Sequence, residues 1–228
     1  MDAPAEAQQD IIGPRPLSTG LAPSTSYLAI FHLRRPSTPN MTEIVPEQGR
    51  AGLSLPSPIN MDWQYPDRDV DAPVYLLVYA PTDPSHTRRD LHWSLVWPTS
   101  STSALDAPAG VLAWRHVQVE TYDVKTDPAP QPRYVYWGAC TKSADESAAG
   151  AEKLLLGTFS REQRRKVEEL AWETSVMHPN GDWNCQNWIL GLFDKLDAAG
   201  LVPRSRIDEV VKAAESGTSH IEPKLCDL

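Results

Sequence analysis

From residue 74 onward, short runs rich in β-branched and aromatic residues recur between turn formers, at 74–80, 91–97, 111–120 and 133–137. Such runs predict strands. In residues 91–97 a period of two puts Leu91, Trp93, Leu95 and Trp97 on one side, and His92, Ser94 and Val96 on the other. The connections carry Pro81, Pro84, Pro98, Pro108, Pro128, Pro130 and Pro132, which fit meanders better than helical crossovers and predict an antiparallel sheet. The run Lys-Leu-Leu-Leu-Gly at 153–157 reads as either a strand or the end of a short helix.

The period then changes to helical. Ser160 and Gln163 form a capping box ahead of Val167, Leu170, Ala171 and Thr174, and the helix they open ends near the turn His178-Pro179-Asn180-Gly181. A second helix has Asn184 as N-cap, an apolar stripe of Trp188, Ile189, Leu192, Phe193 and Leu196, and a stop at Gly200 with Pro203 beyond. A third, short helix opened by Ser205 carries Ile207, Val210 and Val211. The expected class is α+β: an antiparallel sheet with helices packed on it.

Residues 1–26, rich in Ala, Pro, Ser, Thr and Gln, bury too little apolar surface to offset ordering and are expected to form a disordered tail. Residues 27–73 begin with a strand-like run at 27–33 and continue as a Pro-rich extension, expected to lie across the core through Met61, Trp63 and Tyr65. The functional domain is then 74–216, followed by a tail at 217–228. The chain has 228 residues, 41% of them hydrophobic, with 21 prolines and eight tryptophans, which fits one core with long irregular segments. A formal charge of −9 argues against nucleic acid as a partner, and no apolar run reaches the length of a membrane span. With no basic or apolar leader at the start, a cytoplasmic location is expected.

Three cysteines without a Cys-x-x-Cys pair suggest neither a disulfide framework nor a thiolate zinc site. Cys185 falls in the first turn of the second helix, where unpaired N–H groups and the helix dipole favour a thiolate. It is also a small hydrophobe on the same face as Trp188, Ile189 and Leu192. Of six histidines, His92 and His116 fall within predicted strands, consecutive in the sheet, whereas His32, His86, His178 and His220 lie in turns, near prolines or in tails. A helix end packed on that sheet would bring Cys185 against His92, with His116 orienting the imidazole.

The order His92-Trp93-x-Leu95, Trp114-Arg115-His116-Val117, Trp183-Asn184-Cys185-x-x-Trp188 resembles circularly permuted NlpC-type members of the papain-like cysteine hydrolase superfamily. Asn184-Cys185-Gln186-Asn187-Trp188 is similar to the Asn-Cys-x-x-aromatic signature of lecithin:retinol acyltransferase-like and PPPDE-type proteins. The whole resembles more closely a fungal family with a His-Trp-x-Leu strand, a second His and a Trp-x-Cys-x-x-Trp helix in this order. The likeness covers about residues 74–202. It implies Cys185 as nucleophile, His92 as general base and His116 as third member, with Trp93, Trp114, Trp183, Asn184 and Gln186 at the substrate. Gln186 and Asn187 stand where the acyltransferase-like proteins often carry Glu and His.

The implied activity is that of a cysteine-dependent hydrolase or acyltransferase passing an acyl or peptidyl group through a thioester. Two alternatives use the same residues otherwise: a catalytically silent binding or scaffold protein, or a non-covalent acid–base enzyme such as an isomerase or cyclase acting on a small molecule. No phosphate-binding loop, dinucleotide fingerprint, Gly-x-Ser-x-Gly or His-Glu-x-x-His motif is present, so no cofactor is expected. Two imidazoles and a thiolate suit zinc, but the spacing of a metal site is missing and none is expected.

Overall fold

A computed structural model of the chain describes residues 44–54, 56–100, 111–124 and 131–217. The tail expected at 1–26, the strand expected at 27–33 and the last eleven residues lie outside the described residues.

Five strands form one antiparallel sheet: β1 (Ala72–Val78), β2 (Trp93–Ser100), β3 (Ala113–Val117), β6 (Cys140–Ser143) and β7 (Glu152–Phe159), in the order β6-β3-β2-β1-β7. β4 (Glu120–Val124) and β5 (Gln131–Val135) form a separate two-stranded ribbon. Four helices complete the α+β fold: α1 (Glu146–Gly150), α2 (Arg161–Trp172), α3 (Cys185–Ala198) and α4 (Arg204–Ser216). Among the described residues, no helix is long and apolar enough to cross a membrane.

Alternation divides the sheet into two unlike faces. Leu76 and Val78 of β1, Trp93, Leu95 and Trp97 of β2, and Val117 of β3 share one buried cluster with α2, α3 and α4. The stripe foreseen on α3, Trp188, Ile189, Leu192, Phe193 and Leu196, lies wholly within it. Each such side chain is worth about 1.5–3 kcal/mol when fully buried, so this face carries most of the hydrophobic stabilisation. The opposite face has a smaller apolar patch, Leu77, Val96 and Trp114, closed by Ala148 and Ala151. Because β6 and β7 are the two edges of the sheet, the segment 144–151 between them, containing α1, runs as a strap over this second face.

Several elements differ from expectation. The run at 111–120 is two strands, since the chain leaves the sheet after Val117 and β4 pairs with β5 instead. The run at 153–157 is a strand, hydrogen-bonded along β1. The third helix starts one residue before Ser205, with Pro203 at its N-cap, where the Pro203 carbonyl accepts from the N–H groups of Arg206 and Ile207. The Pro-rich segment is held less by its aromatic residues than by polar contacts: Trp63 is 79% exposed, while the Asp62 carboxylate bonds Arg115 and Thr141. Val45 donates to the Val176 carbonyl at 2.8 Å.

The firmest of these ties is Arg164 on α2, which is fully buried. Its guanidinium donates to Asp67 Oδ1 at 2.9 Å and to the carbonyls of Arg68, Val70 and Phe159 at 2.7, 2.8 and 2.7 Å. A planar fork with five donors suits four acceptors spread around it, and lysine does not. Removing one partner of a buried pair leaves the other charge uncompensated, at a cost of about 3–5 kcal/mol. Arg164→Ala is therefore expected to lose stability of that order in urea unfolding, and Arg164→Lys is expected to recover less than half of it.

Candidate functional site

The start of α3 is fastened to the turn before β2. Asn184 caps the helix, accepting from the Gln186 N–H at 2.9 Å, while Asn187 Oδ1 accepts from the Asn184 N–H at 2.9 Å. Arg89 donates to Asn184 Oδ1 at 2.9 Å, to Gln186 Oε1 at 3.2 Å, and to Asn187 and the Asp182 carbonyl. In return, Asn184 Nδ2 donates to the Arg89 carbonyl, and Gln186 Nε2 to those of Arg88 and Leu91, each at 2.8 Å. Every polar side chain of the Asn184-Cys185-Gln186-Asn187 motif is thereby used in a structural clamp.

Cys185 lies against the backbone of residues 91–93. Its Sγ is 3.9 Å from the Leu91 carbonyl oxygen, and the Trp93 and Gln186 N–H groups favour its thiolate form. Its neighbours are apolar, and it is only 8% exposed. Burial, the largest influence, raises the thiol pKa against those N–H groups and the Arg89 charge. The expected thiolate at the helix end is thus corrected: the N–H groups act as foreseen, but desolvation outweighs them.

Both histidines belong to the other face. Strand alternation sets His116 on the side of Trp114, across from Cys140 of β6, and its Nδ1 is 3.2 Å from Ser94 Oγ. The His92 ring packs on Tyr79 with centroids 5.3 Å apart. The two rings share a cavity of about 220 Å³ with Tyr79, Gln118, Lys142 and Asp145. The structure brings His92 and His116 together in one cavity, as expected, while Cys185 lies in the apolar cluster of the other face. The expected Cys185–His92–His116 triad is not formed, because α3 packs on the Trp93 side of β2 and the ring of His92 leaves from the other.

The remaining residues foreseen at the substrate have structural places. Trp93 is 1% exposed within the main core, Trp114 packs edge-on against Tyr75, and Trp183 packs against Tyr134 at 5.1 Å. Asn184 and Gln186 belong to the clamp.

The cavity has a definite electrostatic character. Burial lowers the pKa of both imidazoles, most strongly for His116, which is pushed down to about 3, and the Lys142 ammonium adds to this. Lys142 is itself paired with Glu120 at 2.6 Å. Asp145 is held ionised by the Ala148 N–H and the Ser147 hydroxyl. Burial, then the Asp145 and Glu120 carboxylates, raise the Tyr79 phenol, so it keeps its proton. The Gln118 side chain, beside both rings, acts against burial by favouring the protonated imidazoles. Gln118, Lys142, Asp145 and Tyr79 are additions to the residues named from sequence. Tyr79 and Gln118 carried a signal there, since alternation from Leu77 and from His116 turns each away from the helices.

No family model, no curated protein and no solved structure matches the chain. Among the described residues, no group of three or more His, Cys, Asp and Glu is arranged to hold a metal ion.

Two outcomes are expected. Cys185 in the folded protein should react with iodoacetamide at pH 7 at least about tenfold more slowly than the same thiol in urea, read by intact mass, since neither ionisation nor access favours it. His116 binds its proton less readily folded than at its ordinary pKa of about 6.5, so the unfolded chain holds more protons between the two values. Stability due to a neutral His116 is thus present above about pH 6.5 and lost as pH falls toward about 3. Urea midpoints across this window should fall more steeply for the wild type than for His116→Gln.

Proposed function

We propose that the chain is a non-covalent acid–base enzyme of the isomerase or cyclase type, acting on a small molecule in the cavity of His92 and His116. The observation that carries this reading is the pair of neutral imidazoles lining one cavity on the face without the helix layer. The histidines differ in a useful way. His116 is 97% buried, with a pKa too low for a good base near pH 7, and its role is that of a neutral hydrogen-bond donor. Ser94 Oγ lies 3.2 Å from His116 Nδ1, and in the tautomer in which Ser94 donates there, the ring proton sits on Nε2, from which it can polarise a substrate carbonyl.

His92 is less enclosed and is the proton-transfer group. Its unprotonated nitrogen takes a proton from carbon or hydroxyl and returns it at a neighbouring atom, so that substrate and product differ only in where that proton sits. Lys142 and Asp145 keep the charge balance of the cavity fixed during the transfer. Thiol-dependent hydrolysis or acyl transfer has less support, because Cys185 has no imidazole beside it and its thiol is held protonated.

Proton abstraction is testable without knowing the natural substrate. In D2O, a panel of small hydroxyketones and hydroxyaldehydes incubated with the full chain should show carbon-bound deuterium incorporation by proton NMR. His92→Gln should lower the rate by about 100-fold or more, the range of general acid–base catalysis. Cys185→Ala should leave it within about twofold. Loss in Cys185→Ala with retention in His92→Gln would instead favour the thiol enzyme, and no incorporation with any compound would count against acid–base chemistry here.

A further inference from the structure

A second cavity, of about 210 Å³, lies on the helix side of the sheet, between α2 and the Pro-rich segment. It is lined by Asp62, Asp67, Arg115, Arg161, Arg165 and Glu168. The acidic residues here are already committed. Asp62 and Glu168 both bond the Arg115 guanidinium, Glu168 through two oxygens, and Asp67 bonds Arg164 behind the wall. Arg115 takes two of the three carboxylates and Arg164 the third, so Arg161 and Arg165 have none among the described residues, and the four guanidinium groups together exceed the carboxylates by one charge.

These two lie four residues apart on α2, so they project from one side of the helix, where like charges repel. Arg165 is exposed, but Arg161 is partly enclosed, and its Nε is buried without any hydrogen-bond partner. A buried charged donor without an acceptor is unfavourable in a finished fold. In a chain with a net charge of −9, it is also unexpected that no carboxylate among the described residues pairs with it.

We infer that this cavity is a binding site for a phosphate-bearing small molecule, whose dianionic group is held by Arg161 and Arg165. Tetrahedral phosphate oxygens accept two parallel N–H bonds from one guanidinium, and two such forks at helical spacing match a dianion better than a single carboxylate. Arg115 with Asp62 and Glu168 at the floor gives the rest of the ligand donors and acceptors and carries one net negative charge, so the attraction for an anion comes from Arg161 and Arg165 alone. At about 210 Å³, the space admits a phosphate and a few further atoms.

Inorganic phosphate is the probe. Calorimetric titration and thermal melting of the full chain at pH 7.5, with ionic strength held constant by sodium chloride, should show saturable binding and a rising Tm. Arg161→Gln and Arg165→Gln should each weaken binding at least tenfold, whereas Lys166→Gln, on the exposed side of the same helix, should not. Without phosphate, the double variant should melt no lower than the wild type, because no hydrogen bond or ion pair to a described residue is removed and the repulsion between the two guanidinium groups is relieved. Four results would overturn the proposal: no binding up to tens of millimolar phosphate, an equal effect from acetate or chloride, persistence of binding in the double variant, or a double variant that melts lower in phosphate-free buffer.

Discussion

The pleat of β2 is the constraint from which the rest of this molecule follows. Successive side chains of a strand leave on opposite faces, so the bulky indoles of Trp93 and Trp97, committed to the helix layer with Leu95, force His92 and Ser94 to the other side. A single peptide step separates the Trp93 ring from the His92 ring, and that step decides the chemistry. It leaves a thiol among hydrocarbon on one face and two imidazoles beside a lysine and carboxylates on the other. Slipping the register of β2 by one residue would bury His92 under α3 and expose two tryptophans, which is why no low-energy rearrangement joins the two sets.

The clamp at the start of α3 reinforces this division. Helix ends need partners for their free N–H groups, and here the partners are supplied within the chain, by Asn184 and Asn187, with Arg89 cementing both to the adjoining turn. A helix start so fully satisfied, and so close to the Trp93 backbone, offers no open edge to an incoming carbonyl. The motif that resembles a nucleophile signature has the physical makeup of a fastening. A buried sulfur gains less from oriented N–H groups than it loses by leaving water, so helix position alone does not activate a thiol.

Much of the architecture was legible from periodicity. The stripe of α3, the capping box of α2 and the alternation of β1 and β2 needed only local reading. β6 was not, because Cys-Thr-Lys-Ser has no apolar rhythm and becomes a strand only by pairing with β3. The break after Val117 was hidden because β-forming residues continue without punctuation into β4. For the site, the identities of His92 and His116 and their adjacency were readable, yet their side was misassigned. The information was present: an apolar helix stripe that includes Cys185 must seek the apolar face of a strand, and alternation had already put His92 on the other. Lys142 and Asp145 had no local signal, since they meet the histidines only through the pairing of β3 with β6 and the passage of the strap.

The treatment of the sheet margins has a consequence of its own. Along β6, the N–H of Met61 reaches the Thr141 carbonyl at 2.9 Å, Asn60 Oδ1 takes the Thr141 N–H at 3.0 Å, and Cys140 donates to Ile59 at 3.3 Å. At the far margin Arg206 occupies the Leu155 carbonyl. Unpaired strand borders are templates on which other chains add, the first step toward fibrils. The loop at 59–62 therefore acts as a terminator of sheet growth, and mutations that loosen it would raise the risk of aggregation.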